Sequence, residues 1–89
     1  MEQHFVYILQ SEMDGSYYKG YTTDYHRRLE YHNLGRSSYT STKMPWAMVY
    51  VEEWGTKTEA LKREKRLKRC NSDYLKWLTT QPTNLLITG

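Results

Sequence analysis

The chain has 89 residues, a net charge of +3 and a single cysteine, Cys70. This length supports one domain rather than two, and the lone cysteine excludes an internal disulfide. No apolar run approaches the ~20 residues that a membrane span requires, and no secretory signal opens the chain. We therefore expect a single domain over residues 1–80 with a tail at 81–89, located in the cytoplasm and not in a membrane.

The first segment of the chain predicts a β-hairpin. Residues 4–10 and 16–22 are both rich in β-forming side chains, and Asp14-Gly15 between them is a turn signal. Side chains alternate between the faces of a strand, so if Tyr7 faces Tyr18 across the pair, both point from one face with Leu9 and Ser16 beside them. Cross-strand tyrosine pairs commonly stabilise a sheet, so the pair by itself assigns no function.

A short helix is predicted over residues 25–33. Asp24 before it is a suitable N-cap, and Gly35 after it is a suitable C′ residue. Arg28 and His32 are four residues apart and share one face of this helix. From the helix alone, Arg28 is compatible with a simple surface residue, and a lone histidine such as His32 is more often structural than catalytic.

The rest of the chain predicts one more strand and further helices. A capping-box pair, Thr56 and Glu59, marks the start of the longest helix. The resulting order β-β-α-β-α-α predicts an α/β (α+β) fold in which helices flank a three-stranded, largely antiparallel sheet. The remaining predicted elements are a loop over 36–45, a buried strand over 46–54, a helix from 57 to 69 or 70, a short helix over 73–79, and a tail over 83–89 that docks.

The longest predicted helix contains one unusual residue. Its apolar positions are Ala60, Leu61 and Leu67, and Glu64 falls in the middle of them, whereas basic residues occupy the other faces. A carboxylate on a stripe that faces the core is unfavourable unless it is paired or binds a metal. Two interpretations stay open: an ion pair with Lys68 one turn later, or a metal ligand.

The positive charge and the many tyrosines favour an anionic partner such as nucleic acid, although a basic helix face is also consistent with simple solvation. Aromatic side chains such as Tyr17, Tyr21, Tyr39 and Trp46 would add stacking surfaces or belong to the core. The candidates for nucleic-acid contact are Lys19, Arg27, Lys62, Arg63, Lys65 and Arg66.

Taken together, these residues resemble the GIY-YIG domain. Phe5-Val6-Tyr7 resembles its first motif in degenerate form, and Tyr18-Lys19-Gly20 resembles its second motif on the next strand. Arg28 matches the arginine that the family places on the first helix. His32 matches the histidine one turn later, and Glu64 matches the metal-binding glutamate of the second helix.

The chain is most similar to the small stand-alone, UPF0213-type branch of that family. Many nucleases of the family also have a late asparagine near the metal, for which Asn71 and Asn84 are the candidates here. The shared segments are Val6-Tyr7-Ile8-Leu9, Asp14-Gly15-Ser16-Tyr17-Tyr18, Pro45-Trp46, Val49-Tyr50 and Glu59-Ala60-Leu61-Lys62-Arg63-Glu64-Lys65.

The resemblance implies an endonuclease that cuts DNA, branched or damaged DNA included, with RNA as a further substrate. It implies one Mg²⁺ or Mn²⁺ bound by Glu64 and a scissile phosphate held by Arg28. Tyr7 would position the attacking water or accept its proton, and Tyr18 would hydrogen-bond the water or the phosphate. His32 would assist proton transfer, or hold Tyr7 or the phosphate.

Two other functions are compatible with the same fold. One is a nucleic-acid-binding module that has lost catalysis, and the other is a protein-interaction domain. Related nucleases are often targeted by a second domain, so a protein partner would supply targeting here, and the oligomeric state is left open.

Overall fold

The computed structural model describes residues 2–88, so the outermost residues of the predicted domain and tail, Met1 and Gly89, lie outside the described residues. The predicted element order is confirmed, and a short helix is added at the end. The elements are β1 (His4–Ser11), β2 (Tyr17–Thr22), α1 (Tyr25–Asn33), a 3₁₀ turn (Ser41–Lys43), β3 (Trp46–Trp54), α2 (Lys57–Leu67), α3 (Ser72–Leu78) and α4 (Leu85–Thr88).

The sheet has the order β2-β1-β3, and both neighbouring pairs are antiparallel. The central strand β1 is buried along residues 5–9, because its nearly continuous apolar run is covered on both faces. The predicted α+β architecture with a three-stranded antiparallel sheet is therefore confirmed.

The register of the hairpin differs from the expected one. Tyr7 lies opposite Gly20 and Tyr18 lies opposite Leu9, so the two tyrosines are not paired directly but are offset by two positions along β2. Gly20 has no side chain, which leaves the space that the Tyr7 ring occupies. A shift by an even number of residues keeps a side chain on its face, so both tyrosines still share one side of the sheet.

Two apolar clusters sandwich the sheet. The first packs side chains of the sheet against α2 and α3, and the second packs the opposite face against α1 and α4. The first consists of Val6, Ile8, Tyr50, Ala60, Leu67, Leu75 and Leu78. The second consists of Phe5, Tyr7, Leu9, Trp46 and Val51, with Tyr25, Leu29 and Leu85 packed against them.

The helix ends follow the predicted chemistry. The Asp24 carboxylate accepts a hydrogen bond from the Arg27 backbone amide at the start of α1, and the Thr56 hydroxyl accepts one from Glu59 at the start of α2. Gly35 adopts a left-handed φ of 73°, as a residue after a helix end often does. Helix α2 ends at Leu67, before the predicted residue 69 or 70, because the chain tightens there into shorter-range turns.

The C-terminal segment docks onto the outer edge of β3, as expected. The side-chain oxygen of buried Asn84 accepts the Val51 amide at 3.2 Å. Its side-chain nitrogen donates to the carbonyls of Val49 and Thr79, at 2.9 Å each. Within residues 2–88, none of the helices has the length and apolar character needed to cross a membrane.

Candidate active site

Tyr7 lies at the centre of the candidate site, on the middle strand of the sheet. Only 2% of the residue is exposed, and its ring lies across Gly20 of β2. A Cβ atom added to Gly20 would collide with the hydroxyl end of that ring. Glycine is therefore required at this position so that the ring can lie against the backbone of the neighbouring strand.

A chain of buried polar atoms runs from Tyr7 away from the sheet. The Tyr7 hydroxyl oxygen lies 3.0 Å from Nε2 of His32, in the last turn of α1. Nδ1 of His32 lies 2.8 Å from the hydroxyl of Thr40. His32 and Thr40 are both buried, so each ring nitrogen of His32 has one defined partner.

Tyr18 lies beside this chain on the same face of the sheet and is half-buried. Its ring centroid is 6.4 Å from that of Tyr7 and 5.0 Å from that of His32. On its outer side it meets Tyr39, at 5.8 Å between ring centroids. Tyr39 is the most exposed of these aromatic residues, with 73% of its surface accessible.

Arg28 supplies positive charge to this group. Its guanidinium carbon lies 5.1 Å from the centroid of the Tyr31 ring on the same helix. Its charge opposes the rise that burial causes in the pKa values of Tyr7 and Tyr18, and it adds to the lowering of the pKa of His32. Arg28 is therefore within electrostatic reach of both motif tyrosines and of His32.

Glu64 approaches the tyrosines from α2. After burial, its carboxylate is the largest influence that raises the pKa of Tyr18, and it also raises that of Tyr7. Its side chain is 19% exposed, and Lys68 Nζ lies 3.7 Å from one carboxylate oxygen. The apolar stripe of α2 is narrower than predicted, because Leu61 is exposed. Glu64 therefore lies at the margin of the stripe and not in its middle.

Burial dominates the protonation states at the centre of the site. It raises the pKa of Tyr7, and Tyr18 raises it further, whereas Arg28 acts in the opposite direction. Burial and then Arg28 lower the pKa of His32. Both changes favour the uncharged forms, so neutral tyrosine and neutral imidazole are the resting states near pH 7.

A cleft of about 440 Å³ opens beside Tyr18 at the free edge of β2. It is lined by aromatic rings and by two ammonium groups, which suits a flat, anionic ligand. Its lining residues are Tyr17, Tyr18, Lys19, Tyr39 and Lys68.

The remaining basic candidates fall on different surfaces. Lys62, Lys65 and Arg66 are exposed on α2 and are called here the α2 basic patch. Arg27 is exposed on α1, which covers the other face of the sheet.

Arg63 differs from its basic neighbours because its partner is already within the fold. Its Nε donates to a carboxylate oxygen of Glu52 at 2.7 Å, and the two side chains are 16% and 10% exposed. Its guanidinium therefore neutralises a buried carboxylate on β3 and is not a free cation on the helix surface.

Comparison with known proteins identifies the family. The sequence-family model of the GIY-YIG catalytic domain matches residues 3–76 of this chain. This chain belongs to the GIY-YIG family. UPF0213 proteins of Staphylococcus aureus strains Mu50 and NCTC 8325 are each 48% identical to it over 69 residues, which cover 76% of this chain and 83% of the relative. The family consists generally of nucleases, and its substrates are nucleic acids.

A solved structure supports the same assignment. The solution NMR structure of a UPF0213 protein from Bacillus halodurans is 34% identical to this chain and has a TM-score of 0.57. The match covers 91% of this chain and 86% of the Bacillus protein. The sequence resemblance to the UPF0213 branch of the GIY-YIG family is therefore confirmed.

The residues of the site are compatible with a Mg²⁺ or Mn²⁺ ion that takes few of its ligands from the protein. Within residues 2–88, no group of three or more His, Cys, Asp or Glu residues is arranged to hold a metal. Mg²⁺, however, commonly binds through one or two carboxylates, with waters and substrate phosphates as the other ligands. Glu64 can take that role, because its ion-pair contact among residues 2–88 is a long one, to a Lys68 side chain that is 54% exposed.

Both late-asparagine candidates of the GIY-YIG motif set have structural roles. The Asn71 side chain caps α3 by accepting a hydrogen bond from the Tyr74 amide. Asn84 ties the C-terminal segment to β3, as described above.

Sequence reasoning overlooked Thr40 and included Lys68 only as a partner for Glu64. Thr40 lies in a polar loop, where nothing in the local pattern distinguishes a buried hydroxyl from an exposed one. The spacing of Lys68 from Glu64 was a usable signal, since residues four apart share a helix face.

Proposed function

We propose that this GIY-YIG protein is a metal-dependent endonuclease that hydrolyses phosphodiester bonds of DNA, including branched or damaged DNA. The observation that carries the proposal is the convergence of Tyr7, Tyr18 and His32, with Arg28 and Glu64 near enough for their charges to influence the pKa values of both tyrosines. A packed core does not require two hydroxyls, an imidazole, a guanidinium and a carboxylate at one place, whereas hydrolysis of a phosphodiester uses all of these groups.

Glu64 would hold one Mg²⁺ or Mn²⁺, and the bound ion would supply positive charge that stabilises the leaving 3′ oxygen. The carboxylate is suited to this because its side chain is 19% exposed and its ion pair with Lys68 is long, at 3.7 Å. Lys68 can turn away from Glu64 toward solvent without breaking a buried contact.

Arg28 binds the scissile phosphate through charge-assisted hydrogen bonds, for which the planar guanidinium is well suited. Its position over the Tyr31 ring leaves the N–H groups at the rim of the guanidinium available to an anion. Tyr18 donates a hydrogen bond to a phosphate oxygen from its place in the cleft wall. Lys19, in the same wall, adds a further positive charge.

Tyr7 positions the attacking water through its hydroxyl group. Because burial raises its pKa, the neutral hydroxyl is the resting state, and Tyr7 can accept a proton from the water only after its own hydroxyl proton has passed to solvent, a loss that nearby positive charge favours. Arg28 already contributes in that direction. His32 holds the Tyr7 oxygen at 3.0 Å and so fixes where the water binds.

Affinity for the backbone of the nucleic acid would come from exposed cations outside the site. The α2 basic patch and Arg27 are accessible for such contacts, whereas Arg63 is paired with Glu52. Phosphate contacts of this kind weaken as salt rises.

A nucleic-acid-binding module without catalysis is the second candidate. The observation that favours it is the raised pKa of Tyr7, which opposes proton abstraction. It keeps the cleft, the aromatic rings and the basic patch but makes no use of Glu64 as a metal ligand.

The test is a cleavage and binding assay on one set of labelled substrates: single-stranded, duplex and branched DNA, and RNA. Each is incubated with the wild-type protein in Mg²⁺, in Mn²⁺ and in EDTA, and binding is measured in parallel at low salt. The endonuclease proposal expects products that appear with a divalent ion and disappear with EDTA. Binding without products in either metal supports the binding module, and neither binding nor products supports a protein-interaction domain.

A further inference from the structure

Helix α2 carries a group of cations on the side that faces away from the core. The α2 basic patch and Arg69 line one open cavity of about 280 Å³. All four residues are exposed, and among residues 2–88 none of them forms an ion pair. Like charges one turn apart on a helix, as at Lys62 and Arg66, repel each other and destabilise it. An anionic ligand would offset this repulsion.

Two exposed aromatic rings lie on the next helix, α3. Trp77 and Tyr74 are 53% and 38% exposed, and their ring centroids are 5.5 Å apart. The buried residues of α3 are Leu75 and Leu78, so both rings lie outside its core-facing side. Within residues 2–88, the two apolar clusters of the core include neither ring.

Arg63 connects the aromatic pair to the cations of α2. Burial lowers the pKa of Arg63, but hydrogen bonds raise it above its ordinary value, the strongest to Glu52 and a weaker one to Tyr74. The Arg63 side chain thus reaches α3, and it also lines a cavity of about 150 Å³ together with Lys62 and Arg66. The cations and the rings therefore form one surface, called here the α2–α3 surface. It consists of Lys62, Lys65, Arg66, Arg69, Tyr74 and Trp77.

The α2–α3 surface is separate from the cleft beside Tyr18. From α2 the cleft takes Lys68, which lies one turn from Glu64 on the same side of the helix. Lys62 and Arg66 are each two residues from Glu64, and two residues turn an α-helix by about 200°. Lys62 and Arg66 therefore point nearly opposite to Glu64. A ligand held by them leaves the cleft free.

The chemistry of the α2–α3 surface favours an unpaired nucleic-acid strand. Cations bind the phosphates of single and double strands alike. The faces of the bases are covered by stacking within a duplex, so a base can stack on Trp77 where the strand is unpaired. An acidic peptide would pair with the cations, but its carboxylates gain nothing from the aromatic rings.

We propose that the α2–α3 surface is a second nucleic-acid-binding site, outside the cleft, that holds an unpaired strand. The phosphates of the strand lie on the α2 cations, and one base stacks on Trp77. The site selects substrates that have an unpaired segment. It rests on the nucleic-acid substrate of the proposed function, but it does not rest on cleavage.

Tryptophan fluorescence tests the site in the absence of cleavage. Trp77 is 53% exposed, whereas Trp46 is 3% exposed and the indole nitrogen of Trp54 is buried. The wild-type protein is titrated in EDTA with oligo(dT) and with a duplex of the same length. We expect oligo(dT) to quench the emission, the duplex to quench it much less, and Trp77→Phe to remove most of the quenching. Equal quenching by the duplex, or quenching that persists in Trp77→Phe, would overturn the proposal.

The affinity for labelled oligo(dT), measured by fluorescence anisotropy, tests the contribution of the ring. We expect Trp77→Ala to weaken binding by about 5-fold to 150-fold, and Trp77→Phe to retain most of the affinity because it keeps a stacking ring. Tyr39→Ala is the matched control, since Tyr39 is a 73% exposed aromatic residue of the cleft. It should leave the quenching of Trp77 unchanged. Wild-type affinity in Trp77→Ala, or loss of the quenching in Tyr39→Ala, would overturn the proposal.

The contribution of the cations is measured by the salt dependence of the same binding. Replacing the α2 basic patch with alanines should lower the slope of log affinity against log salt for oligo(dT) by about 2.1. An unchanged slope would remove the cations from the site. Oligoglutamate is the probe for an acidic partner, and quenching by oligoglutamate as strong as that by oligo(dT) would replace the nucleic acid with an acidic peptide.

A parallel cleavage assay in Mg²⁺ keeps this proposal distinct from the endonuclease proposal. Cleavage that depends on Glu64, without quenching of Trp77, would overturn the second site and leave the endonuclease standing. Quenching of Trp77 without cleavage would support the second site and contradict the endonuclease.

Discussion

Replacing Gly20 with alanine should displace Tyr7 and so reduce both stability and cleavage. The new Cβ would overlap the hydroxyl end of the Tyr7 ring, which lies in a core where Tyr7 is 2% exposed. The ring can move only by opening buried packing and by leaving its partner His32, 3.0 Å away. The effect is therefore transmitted from β2 to the centre of the site.

The magnitude of the Gly20→Ala effect combines three contributions. Overpacking a core typically costs about 1–3 kcal/mol. Losing a hydrogen bond such as Tyr7–His32 costs about 0.5–1.5 kcal/mol. Alanine is favoured over glycine in a strand by about 0.5–1 kcal/mol, which acts in the opposite direction. We expect a loss of roughly 2 kcal/mol in the free energy of unfolding, or about 8–16 °C in Tm for a domain of this size.

Gly55→Ala is the matched control for this substitution. The nearest atom to a Cβ at Gly55 is Glu59 Oε1 at 3.5 Å, an ordinary contact, and Gly55 does not have a left-handed backbone. Thermal unfolding followed by circular dichroism should separate the two variants clearly. In a Tyr7→Leu background the cost of Gly20→Ala should largely vanish, because the colliding ring is absent. Equal Tm values for the two glycine variants, or an undiminished cost without the Tyr7 ring, would refute the reasoning.

Three further results are expected. Arg63→Met should destabilise the fold by about 3 kcal/mol, because it leaves buried Glu52 unpaired, whereas Lys62→Met should change unfolding by less than about 0.5 kcal/mol in denaturant titrations. Replacing the α2 basic patch with alanines should reduce the slope of log affinity against log salt on duplex DNA by about 2.7, and an unchanged slope would remove the patch from the interface. Folding lowers the pKa of His32 from its ordinary value of 6.5. The contribution of His32 to the free energy of unfolding is therefore fully present above pH 6.5 and is lost as the pH falls below that value. Urea unfolding from pH 7 to pH 5 should show this loss in the wild type and in exposed His26→Gln, but less of it in His32→Gln.

The sequence was sufficient for the order of the three strands and the first three helices and for the starts of those helices, because these depend on local signals, but not for the end of α2 or for α4. Asp24, Thr56 and Asn71 act as N-caps through short-range chemistry that is visible in the sequence. The hairpin register was not accessible in this way. It depends on the fit of the Tyr7 ring against Gly20, two residues on different strands.

The partners of the predicted site residues were also beyond local patterns. Periodicity places Arg63 on a helix face, but only the fold shows that this face meets Glu52 on β3. The family motifs selected His32, and only the packing of the following loop reveals Thr40 as its partner. Contacts between distant parts of the chain decide whether a basic or polar side chain is free or engaged.

The most direct test of a metal site at Glu64 compares Glu64→Gln with Lys68→Met. Both substitutions remove the ion pair at 3.7 Å, but only the first removes the carboxylate. Cleavage of labelled DNA is measured in Mg²⁺ and in Mn²⁺, and Tm is recorded for each protein. We predict that both variants fold, that Glu64→Gln yields no products in either metal, and that Lys68→Met retains metal-dependent cleavage. Cleavage by Glu64→Gln, or an equal loss of stability in both variants, would contradict the account and return Glu64 to a structural role.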